Sequence, residues 1–134
     1  MIKKLSVTTD GQGLYEITDS VMGLVHASDV SEGVCTVFVR HTSASLTIQE
    51  NADPSAKRDL EAWLNRLVPE RDALYTHTSE GPDDMPAHIK AILTSPSLSI
   101  PIFQGGLVLG SWQGIYLWEH RKRKHLREVV VHVG

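Results

Sequence analysis

Only one cysteine, Cys35, occurs in the sequence, so no disulfide can form within the chain. None is needed, because 134 residues suffice to bury a hydrophobic core. Cys35 lies in the apolar run GVCTVFVR and reads as a small buried strand residue rather than a nucleophile. No apolar run approaches the roughly 18 residues a membrane helix needs. The opening MIKKLSVTTD has two lysines but no apolar stretch, so it does not read as a secretory signal. A cytoplasmic protein without a membrane partner is expected. Basic charge is not in excess: the formal net charge is −3, which argues against a nucleic-acid partner. Internal repeats, low-complexity segments and linkers are missing. So are the GxSxG elbow, the Walker loop and the GxGxxG turn. What remains is ordinary globular composition, 41% hydrophobic and 22% charged, and predicts one domain over residues 1–134.

The patterning predicts strands at both ends and helices between. KLSVTT alternates as a half-buried strand does, Asp10-Gly11 marks a turn, and GLYEIT follows as a second strand. Thr18 or Asp19 is placed to cap a short helix through SVMGLVHAS. GVCTVFVR is β-branched and nearly continuous, which predicts a strand buried on both faces. Asp53-Pro54 supplies an N-cap and a first-turn proline for a helix whose Leu60, Trp63, Leu64 and Leu67 form one apolar face. A second clear helix opens at Met85-Pro86, after a long polar connection of the kind that often carries function. The last third predicts SLSIPIF, a turn at Gly105-Gly106, one long strand GLVLGSWQGIYLWEHR, and LREVVVHVG. Gly110 and Gly114 mark bulges or a close approach by ligand in that long strand. The basic stretch EHRKRKHLRE reads as a hairpin turn with solvated charges. The fold class is α+β: mainly antiparallel, sandwich-like sheets with two to three helices.

Three polar clusters interrupt these apolar segments. One is His41 to Ser45, with Ser43 inside it, followed by Gln49, Glu50, Asn51 and Asp53. The next is His77, Glu80, Gly81, Asp83, Asp84 and His88. Gln113, Glu119, His120 and Arg121 form the last, on the predicted long strand. Asp83 or Asp84 as a helix cap is the plain alternative to a catalytic role. A Ser–His pair within HTSAS would lack an orienting acid. Strand alternation puts Gln113, Ile115, Leu117, Glu119 and Arg121 on one side and Trp112, Tyr116, Trp118 and His120 on the other. Glu119 and Arg121 can then pair, or the Arg121 fork can meet a phosphate. His26, His125 and His132 read as surface or packing residues. No compact zinc signature is present, whereas Glu80, Asp83 and Asp84 are suited to magnesium with phosphate oxygens.

HTSASLTIQENADPSAKRDL, HTSEGPDDMPAHIKAIL and LGSWQGIYLWEHR, in this order and spacing, resemble the YjbQ-like family. The resemblance covers nearly the whole chain. It implies an α+β homotrimer, a metal near the histidines in some members, and a secondary thiamine-phosphate synthase activity. That reaction joins a pyrimidine-methyl diphosphate to a thiazole phosphate, and diphosphate leaves. The motif positions carried over include His41, Ser43, His77, Glu80, Asp83, Asp84, His88, Gln113, Glu119, His120 and Arg121.

A leaving diphosphate needs a divalent cation and cationic side chains. On this reading Glu80, Asp83 and Asp84 hold magnesium, Arg121 or His120 meets phosphate oxygens, and His41 and His88 orient groups or move protons. A metal-dependent hydrolase with zinc on His77, His88 and His120 is the first alternative. A phosphate- or small-molecule-binding trimer without turnover is the second. The partner in each case is a phosphorylated small molecule. Trp112, Tyr116 and Trp118 on one strand also suggest a subunit contact.

Overall fold

Alternation of side chains decides the architecture. The computed structural model of residues 1–134 contains β1 (Ile2–Thr9), β2 (Gly13–Glu16), α1 (Thr18–Ala27), β3 (Gly33–Val39), β4 (Ala44–Glu50), α2 (Pro54–Leu67), α3 (Asp84–Leu93), β5 (Ser97–Phe103), β6 (Gly106–Leu107), β7 (Gln113–Glu119) and β8 (His125–Val133). Two sheets form, one ordered β1-β8-β3-β5-β6 and the other β2-β7-β4. Every pairing is antiparallel. The α+β class holds, with three helices.

One face of each sheet turns inward. Cys35, Val37 and Val39 of β3, Val129, Val131 and Val133 of β8, and Ile100 and Ile102 of β5 meet Ala44, Leu46, Ile115 and Leu117 of the smaller sheet. Val21 and Val25 of α1 join the same core. Leu46 and Ile115 have no exposed surface, so truncating either to alanine costs about 2–5 kcal/mol. Burial also pushes the Cys35 thiol up to about 11, leaving it an inert packing residue.

The outer face of the smaller sheet is covered by helices. Trp118 packs with Leu64 and Val68, against which Leu60 and Ile89 also lie. Asp53 caps α2 by accepting from the Ser55 N–H at 2.9 Å, and Pro54 occupies its first turn. Only part of the predicted apolar face of α2 is used: Leu64 is buried, but Trp63 and Leu67 are exposed. The outer face of the larger sheet has no helix over it. Val34 and Phe38 are exposed there, so β3 is covered on one face and not on both.

Other expectations need correction. Neither Thr18 nor Asp19 caps α1; the Thr18 hydroxyl donates to Glu16 and accepts from the Ile115 N–H. Neither Asp83 nor Asp84 caps α3, since both carboxylates are drawn to Arg121. The long C-terminal strand is broken into β6 and β7. The β5–β6 hairpin turns at Gln104 and Gly105, both at positive φ, one residue earlier than the Gly105-Gly106 signal. At Gly114 the close approach comes from the chain's own side chains and not from a ligand: a Cβ there would lie 2.8 Å from Glu16 Oε2 and 3.0 Å from Asn51 Cβ.

Three connections cross from one sheet to the other at the same end of the sandwich. They are β1 to β2, β3 to β4, and β7 to β8. The basic stretch is therefore a crossover and not a hairpin turn. Lys122, Arg123 and Lys124 are exposed as expected, while Arg121 and Arg127 on either side are buried. Two crossovers touch, since a Cβ on Gly11 would meet the Lys122 carbonyl oxygen at 3.0 Å. This end gathers the polar residues that interrupted the apolar pattern.

Candidate functional site

The last inward-facing layer of the sandwich at this end is polar. Thr9, Glu119 and Arg127 end the inward rows of β1 and β7 and begin that of β8. The Glu119 carboxylate is fully buried. Its Oε1 accepts from Thr9 Oγ1 at 2.7 Å and from Arg127 Nε at 2.7 Å, and its Oε2 accepts from Arg127 Nη2 and from the Arg121 N–H at 3.1 Å. Burial raises the Glu119 pKa, but Arg127, Thr9 and the Arg121 N–H outweigh it and hold the carboxyl below its ordinary value. Glu119 therefore pairs with Arg127 and not with the Arg121 guanidinium.

Arg121, just beyond β7, turns instead to the loop before α3. Its Nε donates to Asp83 Oδ2 at 3.0 Å, its Nη1 to Asp84 Oδ1 at 2.6 Å, and its Nη2 to the Glu80 carbonyl at 2.9 Å. Each nitrogen of the fork is engaged within the chain, so the guanidinium is held to the loop before α3. Asp83 also accepts from the Lys122 N–H at 2.9 Å. It serves to hold the loop, so the three-carboxylate magnesium site does not assemble. Gly81, at φ +106°, lets that loop turn, and a Cβ added there would lie 3.2 Å from Asp83 Oδ1.

Asp84 opens α3, and His88 lies one turn further on, so the two share a helix face. Asp84 Oδ2 faces His77 Nε2 at 2.7 Å and His88 Nε2 at 3.1 Å. These three ligand atoms lie within 4.8 Å of one another. Glu80, exposed, approaches His77 Nε2 at 3.9 Å. Burial raises the Asp84 pKa, but the hydrogen bond from His77 and the charges of His88 and Arg121 prevail and hold it low. His88 Nδ1 donates to the Thr42 carbonyl at 2.9 Å, which leaves Nε2 of a neutral ring as a lone pair aimed at a carboxylate oxygen. Two acceptors in that position require a proton or a cation between them. The donor set, two imidazole nitrogens and one carboxylate oxygen, is of zinc type, and the backbone contact at Nδ1 is the usual second partner of a metal-binding histidine.

His120 is not part of this group, which corrects its place in the expected His77–His88–His120 set. Its Nε2 lies 2.9 Å from Ser45 Oγ, its ring packs 5.5 Å from Trp118, and its Nδ1 is buried without a partner. Burial, with the nearby Lys90 charge, lowers its pKa to about 3. Gln113 is at the far end of β7, roughly 20 Å along the strand from Glu119, where its side chain accepts from the Gly110 N–H. His41 and Ser43 do belong to the crossover end: His41 Nε2 accepts from the Glu128 N–H at 2.8 Å, and Ser43 Oγ accepts from Arg127 Nη2 at 3.0 Å. Of the aromatic row, Tyr116 and Trp118 are buried within the chain and only Trp112 is exposed.

Sequence reasoning missed Thr9, Arg127 and Lys90. Thr9 ends an alternating strand and was indistinguishable from its neighbours. Arg127 was hidden in the basic run, although its inward parity with Val129 and Val131 was readable. Lys90 is buried on α3 with its Nζ bonded to Asn65, and burial lowers its pKa.

The fold and this site define a small two-sheet α+β domain with a His–Asp–His cluster at the crossover end of its sandwich. A family model described as UPF0047 protein YjbQ-like matches residues 3–134. The chain belongs to the UPF0047 YjbQ-like family. It is 54% identical over 130 residues to UPF0047 protein sll1880 of Synechocystis, covering 97% of this chain and 88% of that protein. It is 38% identical over 129 residues to UPF0047 protein YjbQ of Escherichia coli O157:H7, covering 96% and 93%. Among solved structures, a YjbQ/UPF0047 family protein of Clostridium acetobutylicum superposes with a TM-score of 0.91 at 39% identity, covering 98% of this chain and 99% of that one. No helix is long and apolar enough to cross a membrane.

Proposed function

We propose that the chain is a divalent-metal enzyme acting on a phosphorylated small molecule at the crossover end of the sandwich. One observation carries this reading: the His88 ring, fixed by Thr42, directs its Nε2 at the oxygen of Asp84 that His77 also faces. A zinc-type ion suits that nitrogen-rich set better than magnesium does. When bound, such an ion supplies Lewis acidity to a phosphoryl oxygen or to water. The chain's own residues supply position. Arg121 fixes Asp84, the Glu80 carbonyl anchors the loop to Arg121, and Thr42 fixes the tautomer of His88. A pocket of about 260 Å³ beside His77, with Tyr75, Pro82 and Met85 in its walls, offers apolar surface to a heterocycle.

The reaction favoured by the family resemblance is transfer: a pyrimidine-methyl diphosphate joins a thiazole phosphate, and diphosphate is released. The test supplies both substrates to the purified protein with zinc or magnesium and follows joined product and diphosphate together. Metal-dependent product lost in His88→Ala supports the transfer reading. Phosphate release without joining replaces it with metal-dependent hydrolysis, which the histidine-rich donor set also favours. Saturable substrate uptake without either product leaves a binding protein and overturns the enzyme reading.

The assembly that fits this reading is a homotrimer in the cytoplasm. The number three rests on the family resemblance; a subunit contact is supported by the outer face of the larger sheet, where Val34, Phe38 and Leu126 stand exposed with no helix above them. Native mass spectrometry decides this: a single monomeric species at working concentration removes the trimer.

A further inference from the structure

Where β3 crosses into β4 there is a pocket of about 460 Å³ beside Thr42, the residue whose carbonyl holds His88. Arg40, His41, Thr42, Ser43 and Arg127 line it, and no carboxylate does. Arg127 is 4% exposed and firmly held. Its Nε and Nη2 are engaged by both oxygens of Glu119, and Nη2 also reaches the Ser43 carbonyl and Oγ. Nη1 donates to nothing in the chain. The one sealed side-chain polar atom without a partner is His120 Nδ1, so the free arm of Arg127 opens on the pocket.

Two more donors are uncommitted. Ser43 Oγ accepts from Arg127, and its own proton is free. His41 Nε2 accepts from the Glu128 N–H, which puts the ring proton on Nδ1, where it has no partner. The nearby carboxylates are already paired, Glu119 with Arg127 and Glu128 with Arg40 at 2.6 Å. The site is thus rich in fixed donors without a large net charge. A tetrahedral oxyanion accepts several such bonds at once, and a planar arginine arm held by a carboxylate presents them without reorganising.

We infer that this pocket seats a phosphoryl group, with Arg127 Nη1, Ser43 Oγ and His41 Nδ1 as its donors. Naming that group as part of the substrate rests on the proposed function; the binding itself does not. The experiment titrates inorganic phosphate and pyrophosphate into chelator-treated full-length protein and follows backbone amide resonances. Saturable shifts confined to residues 38–43 and 127 are expected, with acetate producing none in the same range. Ser43→Ala leaves the Arg127–Glu119 pair in place and is expected to weaken binding about tenfold. Arg127→Lys keeps a charge but loses the fork and is expected to weaken it at least as much. Shifts elsewhere, an equal response to acetate, or unchanged affinity in Ser43→Ala overturns the inference. The titration is metal-free and tests the subsite alone; anion binding here, together with no turnover in the separate metal-supplied assay, overturns only the enzyme reading. Turnover without anion binding in the pocket overturns only the subsite.

Discussion

Arg121 and Asp84 divide one carboxylate into two roles. Arg121 Nη1 donates to Asp84 Oδ1 at 2.6 Å, and Oδ2 of the same group is left to His77 and His88. The guanidinium side chain is 9% exposed and that of Asp84 is 3% exposed, so neither is free to turn to water.

Arg121→Lys keeps the charge but cannot bond Asp83, Asp84 and the Glu80 carbonyl together. Because Arg121 stands behind the ligands, zinc affinity is expected to fall about 10–100-fold, read by competition with a chromophoric chelator. Arg121→Ala leaves two acids unpaired and is expected to cost about 3–5 kcal/mol in urea unfolding. Unchanged zinc affinity in the lysine variant would detach Arg121 from the centre.

Removal of His88 acts on a ligand directly. His88→Ala is expected to abolish near-stoichiometric zinc in metal-supplemented, gel-filtered protein, while the far-UV circular dichroism stays that of the parent. Retention of one equivalent of zinc would place the ion elsewhere.

His120 makes a prediction about acid. Its pKa falls from an ordinary 6.5 in the unfolded chain to about 3 in the fold. Between those values the unfolded state binds the extra proton, so this contribution to stability is whole above pH 6.5 and is lost as pH falls toward 3. Each pH unit in that window is worth about 1.4 kcal/mol at most. Urea unfolding of the parent and of His120→Gln from pH 7 to pH 4 checks it: the variant should show the flatter profile. Parallel profiles would mean that the ring does not stay neutral.

Gly114→Ala tests the close approach in β7. The new Cβ meets Asn51 Cβ at 3.0 Å and Glu16 Oε2 at 2.8 Å, and Glu16 is itself held by Thr18 and Asn51. A loss of about 1–3 kcal/mol is expected from thermal or urea unfolding. A neutral outcome would show that Glu16 swings clear.

Much of the fold was legible because short-range signals governed it. Asp53-Pro54 marked the start of α2, and the alternation in KLSVTT marked β1, whose Leu5 and Val7 pack against the core. Several failures share a cause: a partner distant in sequence. Asp83 looks like a helix cap until Arg121, 38 residues away, takes its carboxylate. Trp63 and Leu67 share the helical spacing of Leu60 and Leu64, but only Leu60 and Leu64 pack toward Trp118. At the site, His77, Asp84 and His88 were legible as one cluster because a loop and one helical turn join them. The separation of His120 from them was not, since Ser45 and not sequence proximity fixes its ring.

The β7–β8 crossover has a metrical consequence. Arg121 stands at the end of the three-stranded sheet and orders the ligand cluster, while Arg127 stands in the five-stranded sheet and faces the other pocket. The separation of the two places is therefore tied to the gap between the sheets, about 10 Å in packed sandwiches, which the core holds constant. If both proposed places bind one ligand, the molecule acts as a fixed caliper that selects the ligand by its length before any of its chemistry is read.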